Sequence, residues 1–350
     1  MTRGAIMSKN KKPRIAVTLG DTAGIGPELT ARLLADPDIY TRAKIVLIGD
    51  ERLWQAGIRT AGVRPPEPTR IGFPDEIDST DADFLLLDYP TLDPASVEMG
   101  KVDPRSGKAV LDTLLFTIRI IRDGKVDGYL FAPLNKEAMH KGGSPYGSEL
   151  ELFKDHFPGH RGLEEINILD ESWTMRVTSH IAIRDVAANI TTPAVLDAIR
   201  FVHGAMRNYG LKAPRLAVSA LNPHGGEHGL FGDEEGRAIE PAIRAARNEG
   251  IGAEGPFPSD TIFLKLRDGL YDAVIGMYHD QCQIATKLMG FHRGVTYHAG
   301  FPAPITTPAH GTAFDIAGKG KADPGATRHA FAIACRIAQR AVEEGRNPNA

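Results

Sequence analysis

The sequence predicts an α/β protein built on mostly parallel sheets, and three observations support this prediction. Short runs rich in Val, Ile and Leu alternate along the chain with longer stretches of helical pattern. Strands separated by helices need crossover connections, which produce parallel pairing. The length of 350 residues suits about two domains of roughly 100–200 residues each, and no internal repeat is visible.

The apolar runs predict the strands Ile15–Leu19, Lys44–Ile48, Phe84–Leu87, Val126–Phe131, Thr174–Thr178, Arg215–Ala220 and Asp272–Met277. The helical patterns predict the helices Gly26–Leu34, Gly107–Ile121, Thr192–Arg207, Glu234–Asn248 and Thr327–Glu344. Sheets of this kind bind ligands at the carboxyl ends of their strands, so we expect functional residues directly after the strands.

The first strand runs into a turn with several glycines, Gly20–Glu28, before the first helix. Glycine permits close approach of the backbone, and Pro27 suits the first position of a helix. The spacing is not that of a G-x-G-x-x-G motif, and no phosphate-loop Lys-Ser/Thr follows, so a standard dinucleotide-binding turn is not indicated. A plain strand-to-helix turn and a functional turn stay equally open.

Composition excludes several classes of protein. Lys and Arg number 41 against 44 Asp and Glu, a balance that argues against binding to nucleic acid or to a membrane surface. No apolar run is long enough for a membrane helix, and the basic cluster Lys9–Arg14 is interpreted as a solvated tail. Two cysteines, Cys282 and Cys335, fit a reducing compartment, so we expect a cytoplasmic enzyme.

Three histidines each follow a predicted strand: His180, His224 and His279. Neutral imidazoles bind divalent transition metals, and three protein ligands with one open position are typical of catalytic sites. A single histidine is more often structural than a ligand, and that alternative stays open for each of the three. Polar residues available to orient the imidazoles are Asn222, Glu227, Asp280 and Gln281.

The stretch from His310 to Pro324 resembles the adenosine-binding loop of isopropylmalate and isocitrate dehydrogenases. In those enzymes a His-Gly-Ser/Thr-Ala start cups the nucleotide, and an Asp at the place of Asp315 binds the ribose hydroxyls. A carboxylate there would repel a 2′-phosphate, which favours NAD over NADP. The residues that the resemblance assigns to the cofactor are His310, Gly311, Thr312, Ala313, Asp315 and Asp323.

Further motifs in the same order resemble the 4-hydroxythreonine-4-phosphate dehydrogenase family. They are Gly20–Glu28, Ala132–Lys136, Ser179–Ile181, Asn222–Glu227, Pro258–Thr261 and Met277–Gln281. The resemblance implies a two-domain α/β/α fold like that of isopropylmalate dehydrogenase and a homodimer, with the active site in the interdomain cleft at the dimer interface. It also implies a divalent metal (Zn, Co, Mn or Mg) on His180, His224 and His279, the last from the partner subunit. On this basis we expect a tail at residues 1–14, a first domain at 15–130 plus 305–350, and a second at 131–304.

The chain departs from the family where phosphate-using members bind substrate. His160 is kept but is followed by Arg161 in place of Thr, Thr296 replaces an Asn, and Ile305 replaces an Arg. Losing these charge-assisted bonds weakens a dianion site by about 1.5–3 kcal/mol each. Similar losses occur in the branch that oxidises the cis-dihydrodiol of terephthalate. Expected substrate contacts are His160, Arg161, Lys287, Thr296 and Ile305.

The resemblance implies oxidation of a hydroxyl by NAD with the help of the metal, followed by loss of an adjacent carboxylate. Candidate catalytic residues are Lys287, Asp260, Asp280 and Lys136. Capping roles for the two aspartates and a salt-bridged role for Lys136 stay open. A non-phosphorylated cis-dihydrodiol carboxylate is the preferred substrate. The alternatives are 4-hydroxythreonine-4-phosphate or a phosphorylated threonate or erythronate, and an inactive nucleotide-binding protein.

Overall fold

The structure is a computed structural model that describes residues 11–158 and 164–345 of the chain, without the side chain of Phe291. The chain divides into two compact units. Over the residues described, unit 1 comprises 11–157, 301–307 and 311–345, and unit 2 comprises Pro158, 164–300 and 308–310. The domain limits expected from the sequence, at 130/131 and 304/305, stay a prediction.

Over its described residues, unit 1 holds a six-stranded parallel sheet flanked by helices. Its strands are β1 (Arg14–Thr18), β2 (Lys44–Gly49), β3 (Thr69–Ile71), β4 (Phe84–Asp88), β5 (Gly128–Phe131) and β12 (Ile305–Pro308). Its helices are α1 (Gly26–Leu34), α2 (Asp38–Arg42), α3 (Glu51–Ala61), α4 (Glu76–Ser79), α5 (Pro104–Arg122), α6 (Lys136–Lys141), α7 (Glu149–His156) and α13 (Gly325–Glu343). The strands lie in the order β3-β4-β2-β1-β5-β12, and every pair is parallel.

Unit 2 is a mixed sheet with its own helices. Its strands are β6 (Glu164–Leu169), β7 (Ser172–Arg176), β8 (Leu216–Ser219), β9 (Ala253–Phe257), β10 (Ala273–Gly276) and β11 (Gly294–Ala299). Its helices are α8 (Val186–Asn189), α9 (Thr192–Tyr209), α10 (Glu240–Asn248), α11 (Ser259–Arg267) and α12 (His279–Gly290). The order is β11-β6-β7-β10-β8-β9; the first two pairs are antiparallel and the other three are parallel.

Burial explains why these runs form strands. β1, β2 and β8 are almost entirely buried, as continuous apolar strands covered on both faces by helices must be. In unit 2, Val274 of β10 packs with Ile262 and Leu266 of α11 and with Cys282 of α12. This cluster places the start of α12 against the end of β10.

The fold class predicted from the sequence is confirmed, and the seven predicted strands lie within two residues of observed ones. Five strands were missed, namely β3, β6, β9, β11 and β12, together with most of the shorter helices. The predicted helix Glu234–Asn248 opens with a π-helical turn over Glu235–Ile239 before α10. Among the described helices, none combines the length and the hydropathy that a membrane span requires.

Candidate functional site

Three neighbouring parallel strands bring the predicted histidines to one edge of the unit 2 sheet. β10 lies between β7 and β8, with Gly276 opposite Arg176 and Ile275 opposite Val218. His180 follows β7, His279 follows β10 and His224 follows β8, all at the carboxyl ends. This is the edge at which parallel sheets bind ligands.

Two of the three histidines are direct neighbours. The ring centroids of His180 and His279 lie 5.5 Å apart, with 43° between the ring planes. Nδ1 of His279 lies 2.7 Å from Oδ1 of Asp280, which leaves Nε2 of His279 for a ligand. A carboxylate on the far nitrogen is the arrangement that orients metal-binding imidazoles. Backbone strain also marks the site, because His180 has a positive φ of 53°.

His224 sits in a left-handed turn held by a buried carboxylate. Residues 224–228 all have positive φ, among them His224 at 53°, and each non-glycine residue there costs about 1–2 kcal/mol. Glu235, which is 4% exposed, accepts from the backbone N–H groups of Leu221 at 2.9 Å and Asn222 at 2.8 Å. It also accepts from Nδ2 of Asn222 at 2.9 Å. The Glu235 carboxylate therefore stabilises the entry to the strained turn.

A glutamine links the ends of β8 and β10. Nε2 of Gln281 donates to the carbonyl of Ala220 at 2.9 Å, and its Oε1 accepts from the backbone N–H of Met277 at 2.6 Å. Gln281 thus binds backbone, whereas Asp280 is the residue that contacts an imidazole. The link fixes the loops before His224 and His279 relative to each other.

The arrangement of the three histidines matches only in part what a divalent cation requires. The imidazoles of His180 and His279 supply the neutral nitrogen donors that such ions prefer. Across the described ranges, no group of three or more His, Cys, Asp or Glu side chains is arranged to hold a metal within one chain. The ring of His224 lies 6.3 Å from that of Phe231. Joint binding by all three histidines stays a prediction.

Cys282 is not a candidate for a thiolate ligand. It is 1% exposed, and its thiol donates to the carbonyl of Met175 at 3.3 Å. Burial raises the pKa of the Cys282 thiol to about 12. The residue therefore acts as a small buried apolar group.

The other predicted catalytic residues lie in three places. Lys287 is exposed on α12, two turns beyond His279, and Asp260 is exposed in the first turn of α11. Lys136, in unit 1, is paired through Nζ with Oε2 of Glu149 at 3.3 Å. The pairing of Lys136 matches the salt-bridged alternative left open above, and a catalytic role for it stays a prediction.

The predicted substrate contacts differ in exposure. Ile305 is fully buried in β12. Oγ1 of Thr296, half-buried in β11, lies 3.5 Å from Nδ2 of Asn167. His160 and Arg161 lie outside the described residues. Their substrate roles stay predictions.

The predicted cofactor loop packs against the glycine turn of unit 1. The backbone N–H of Ile25 donates to the carbonyl of Thr312 at 3.1 Å, and a Cβ on Gly24 would lie 3.0 Å from Cβ of Thr312. A side chain at position 24 would therefore crowd Thr312, so glycine suits this close approach of the two segments. Ala313, which follows Thr312 in the loop, adopts a positive φ of 42°.

Farther along this loop, Asp315 is exposed, and Lys319 donates to its carbonyl oxygen at 2.6 Å. Asp323 caps the start of α13 through Gly325 at 2.8 Å. His310 belongs to unit 2, while the loop from Gly311 onward belongs to unit 1. An exposed carboxylate on a firmly packed loop is suited to accept hydrogen bonds from ribose hydroxyls.

Sequence reasoning missed the buried polar residues that support the histidines. Arg176 and Asn167 are each 6% exposed, and Glu235 is 4% exposed. A signal was present for Arg176, because a charged residue inside an apolar strand run must have partners. The sequence gives no such signal for Asn167 and Glu235, since their partners lie in other elements.

Known proteins resemble the chain over most of its length. Residues 41–334 match the family described as pyridoxal phosphate biosynthetic protein PdxA. A Pseudomonas aeruginosa protein with the provisional name 4-hydroxythreonine-4-phosphate dehydrogenase 2 is 48% identical over 335 residues, which cover 95% of this chain and 98% of that protein. A Symbiobacterium thermophilum protein provisionally named D-threonate 4-phosphate dehydrogenase is 37% identical, with coverage of 93% and 97%.

Solved structures agree. The 4-hydroxythreonine-4-phosphate dehydrogenase of Klebsiella pneumoniae matches with a TM-score of 0.80 at 34% identity, over 95% of this chain and all (100%) of that one. A terephthalate 1,2-cis-dihydrodiol dehydrogenase of Burkholderia xenovorans matches less well, with a TM-score of 0.65 at 25% identity, over 93% and 98%. The family resemblance inferred from the sequence motifs is confirmed: the chain belongs to the PdxA family of dehydrogenases.

Proposed function

We propose that this protein is an NAD- and divalent-metal-dependent dehydrogenase of a phosphorylated hydroxy acid, either 4-hydroxythreonine-4-phosphate or D-threonate 4-phosphate. The observation that carries the proposal is the similarity over 93–95% of the chain to relatives named for those substrates. The terephthalate diol preferred from the sequence is not supported, because the diol dehydrogenase is only 25% identical. Loss of the family Asn and Arg at Thr296 and Ile305 therefore does not by itself indicate a non-phosphorylated substrate.

The reaction proposed is an oxidation followed by decarboxylation. Both acids carry a hydroxyl on C3, which is β to the C1 carboxylate. Oxidation at C3 leaves a 3-keto acid: bound NAD would take up the hydride from C3, and a base of the chain would take up the hydroxyl proton. The C1–C2 bond then breaks, CO2 leaves, and its electron pair forms an enol that is reprotonated. When bound, NAD accepts the hydride and the cation stabilises negative charge on the substrate oxygen.

The chain's own residues supply binding and orientation. His180, His224 and His279 would hold the cation, and Asp280 fixes the ring of His279 through Nδ1 at 2.7 Å. Because Asp280 is already hydrogen-bonded to Nδ1 of His279, Asp260 and Lys136 are the better candidates for accepting the proton of the substrate hydroxyl. Exposed Lys287, on the same helix as His279, would bind an anionic group of the substrate. Asp315 would bind the ribose of NAD.

A homodimer is part of the proposal. Apolar side chains that flank the histidines in sequence are exposed to solvent in the single chain: Ile183 is 72% exposed, Ile284 58% and Leu288 83%. Large apolar side chains exposed close to a site are consistent with a surface that binds a partner. A second copy covering them would also place a partner's residues beside the candidate metal ligands.

A substrate panel tests the proposal. NADH formation is measured with 4-hydroxythreonine-4-phosphate, D-threonate 4-phosphate and the terephthalate cis-dihydrodiol, before and after dialysis against a chelator. We expect kcat/KM for one phosphorylated acid to exceed that for the diol by at least about 100-fold, and activity to require the metal. Lys287→Met is expected to raise KM, while Lys265→Met on neighbouring α11 serves as the control. Preferred turnover of the diol, or full activity without metal, would contradict the proposal.

A further inference from the structure

A buried arginine in unit 2 has every side-chain nitrogen engaged. Arg176, at the end of β7, donates from Nε to Oγ of Ser179 at 2.6 Å and from one terminal nitrogen to Oδ1 of Asn167 at 2.7 Å. Its other terminal nitrogen donates to Oε1 of Glu165 at 3.0 Å. The ion pair with Glu165 compensates the buried charge. Ser179 directly precedes His180, so the guanidinium holds the turn that carries this histidine.

Asn167 extends the network to a second element. Its Oδ1, besides accepting from Arg176, accepts from Nε2 of Gln283 at 2.6 Å. Gln283 lies on α12, one turn beyond His279 and one turn before Lys287. The side chain of Asn167 thus joins β7 to α12.

A second link between β7 and α12 is weaker. Thr174 and Thr286 approach within 3.3 Å through their hydroxyl oxygens. Together with the Asn167 contacts and the bond from the Cys282 thiol to the carbonyl of Met175 at 3.3 Å, this gives α12 three polar attachments to the strand that leads to His180. The spacing between the turn of His180 and the start of α12 is therefore set by side-chain hydrogen bonds as well as by packing.

We propose that Arg176 and Asn167 are positioning residues, which hold His180 and His279 of one chain, whose ring centroids lie 5.5 Å apart, at the spacing that a shared divalent cation requires. Both imidazoles are taken from the same chain, whereas the family resemblance implies that His279 comes from the partner subunit. The inference rests on the proposed function for the existence of the cation and goes beyond it in assigning the two supporting residues. A merely structural role would lower the stability of unit 2 and leave the cation affinity of the folded protein unchanged. A positioning role lowers the affinity even where the protein is fully folded, because the imidazoles no longer meet at the correct distance.

The test uses two substitutions and a matched control. Arg176→Lys keeps the charge but loses the fork that reaches Ser179, Asn167 and Glu165 at once. Gln283→Leu leaves the strand side intact and cuts the link to α12. The control is Arg215→Lys, which alters a guanidinium that hydrogen-bonds Asp272 at 2.6 Å before the amino ends of β8 and β10, away from the histidines.

Co²⁺ is titrated into each full-length protein, and the visible absorption of the bound ion gives both the affinity and the ligand geometry. Circular dichroism confirms folding at the same temperature. We expect both test variants to bind Co²⁺ about tenfold more weakly, with altered band intensities, and the Arg215 control to match the parent. Parent-like affinity and spectrum in folded Arg176→Lys and Gln283→Leu would overturn the positioning role. No Co²⁺ uptake by the parent would overturn the metal centre itself, and the positioning role with it.

Discussion

Replacement of Glu235 by alanine tests how the turn that carries His224 is held. The substitution removes the acceptor of two backbone N–H groups, those of Leu221 and Asn222, at 2.9 and 2.8 Å. Each buried donor left without a partner costs about 1–3 kcal/mol. Nδ2 of Asn222 keeps a second acceptor, Oε2 of Glu234 at 2.7 Å, and contributes little to the loss.

We therefore expect Glu235→Ala to lower the free energy of unfolding by about 3 kcal/mol. The strain stored in residues 224–228 makes the turn relax once its entry is released, so Co²⁺ affinity should fall as well. Glu234→Ala is the matched control: it removes one of the two acceptors of Nδ2 of Asn222 and no backbone acceptor, at a cost of about 1 kcal/mol or less.

The assay is urea unfolding followed by circular dichroism, with Co²⁺ titration of the folded variants. Equal losses in the alanine variants of Glu234 and Glu235 would refute the reasoning, since only Glu235 contacts the backbone ahead of the turn. Unchanged Co²⁺ affinity in Glu235→Ala would show that the turn keeps His224 in place without the carboxylate.

Three further predictions concern burial, charge and assembly. Burial, the largest cause, raises the pKa of Asp21 in the folded protein, so the ionised carboxylate lowers the stability above that pKa and has no effect below the pKa of the unfolded chain. Asp21→Asn should therefore stabilise the protein at neutral pH, and urea unfolding should show that the gain vanishes near pH 4. A gain that does not depend on pH would contradict this prediction. Cys282 and Cys335, whose thiol pKa values burial raises to about 12, should resist iodoacetamide in the native protein and react once it is unfolded, as mass spectrometry would show; rapid native labelling of either would be inconsistent with the structure. Leu288→Glu should shift the proposed dimer towards monomer in analytical ultracentrifugation, while the exposed Leu270→Glu control should not.

The strands that the sequence predicts correctly are mostly buried, whereas the wholly buried strand β12 was missed. Ile45 to Ile48 of β2 and Ala273 to Ile275 of β10 form uninterrupted apolar runs, so their pattern needs no knowledge of the neighbours. β9 was missed because its sequence, Ala253–Phe257, contains Glu, Gly and Pro and lies at the sheet edge, where pairing is one-sided. α12 was missed because Asp280, Gln281 and Gln283 interrupt any apolar stripe.

The candidate histidines were identifiable because each follows a predicted strand, and a parallel sheet brings such ends together. The residues that hold the histidines in place were not identifiable, since their role depends on contacts between distant segments. Asn167 and Gln283 lie 116 residues apart and meet only after β6 has paired with β7 and α12 has packed beneath them. The left-handed turn after β8 similarly depends on Glu235, and the backbone preferences of His224 and Glu227 do not predict it.

Binding of one divalent cation by His180, His224 and His279 can be observed by anomalous X-ray scattering from crystals grown with Co²⁺. We predict a single strong peak at about 2.1 Å from one ring nitrogen of each of the three histidines, which is Nε2 for His279, whether His279 comes from the same chain or from a partner copy. A peak elsewhere, or one that touches fewer than three of these imidazoles in any copy, would contradict the account.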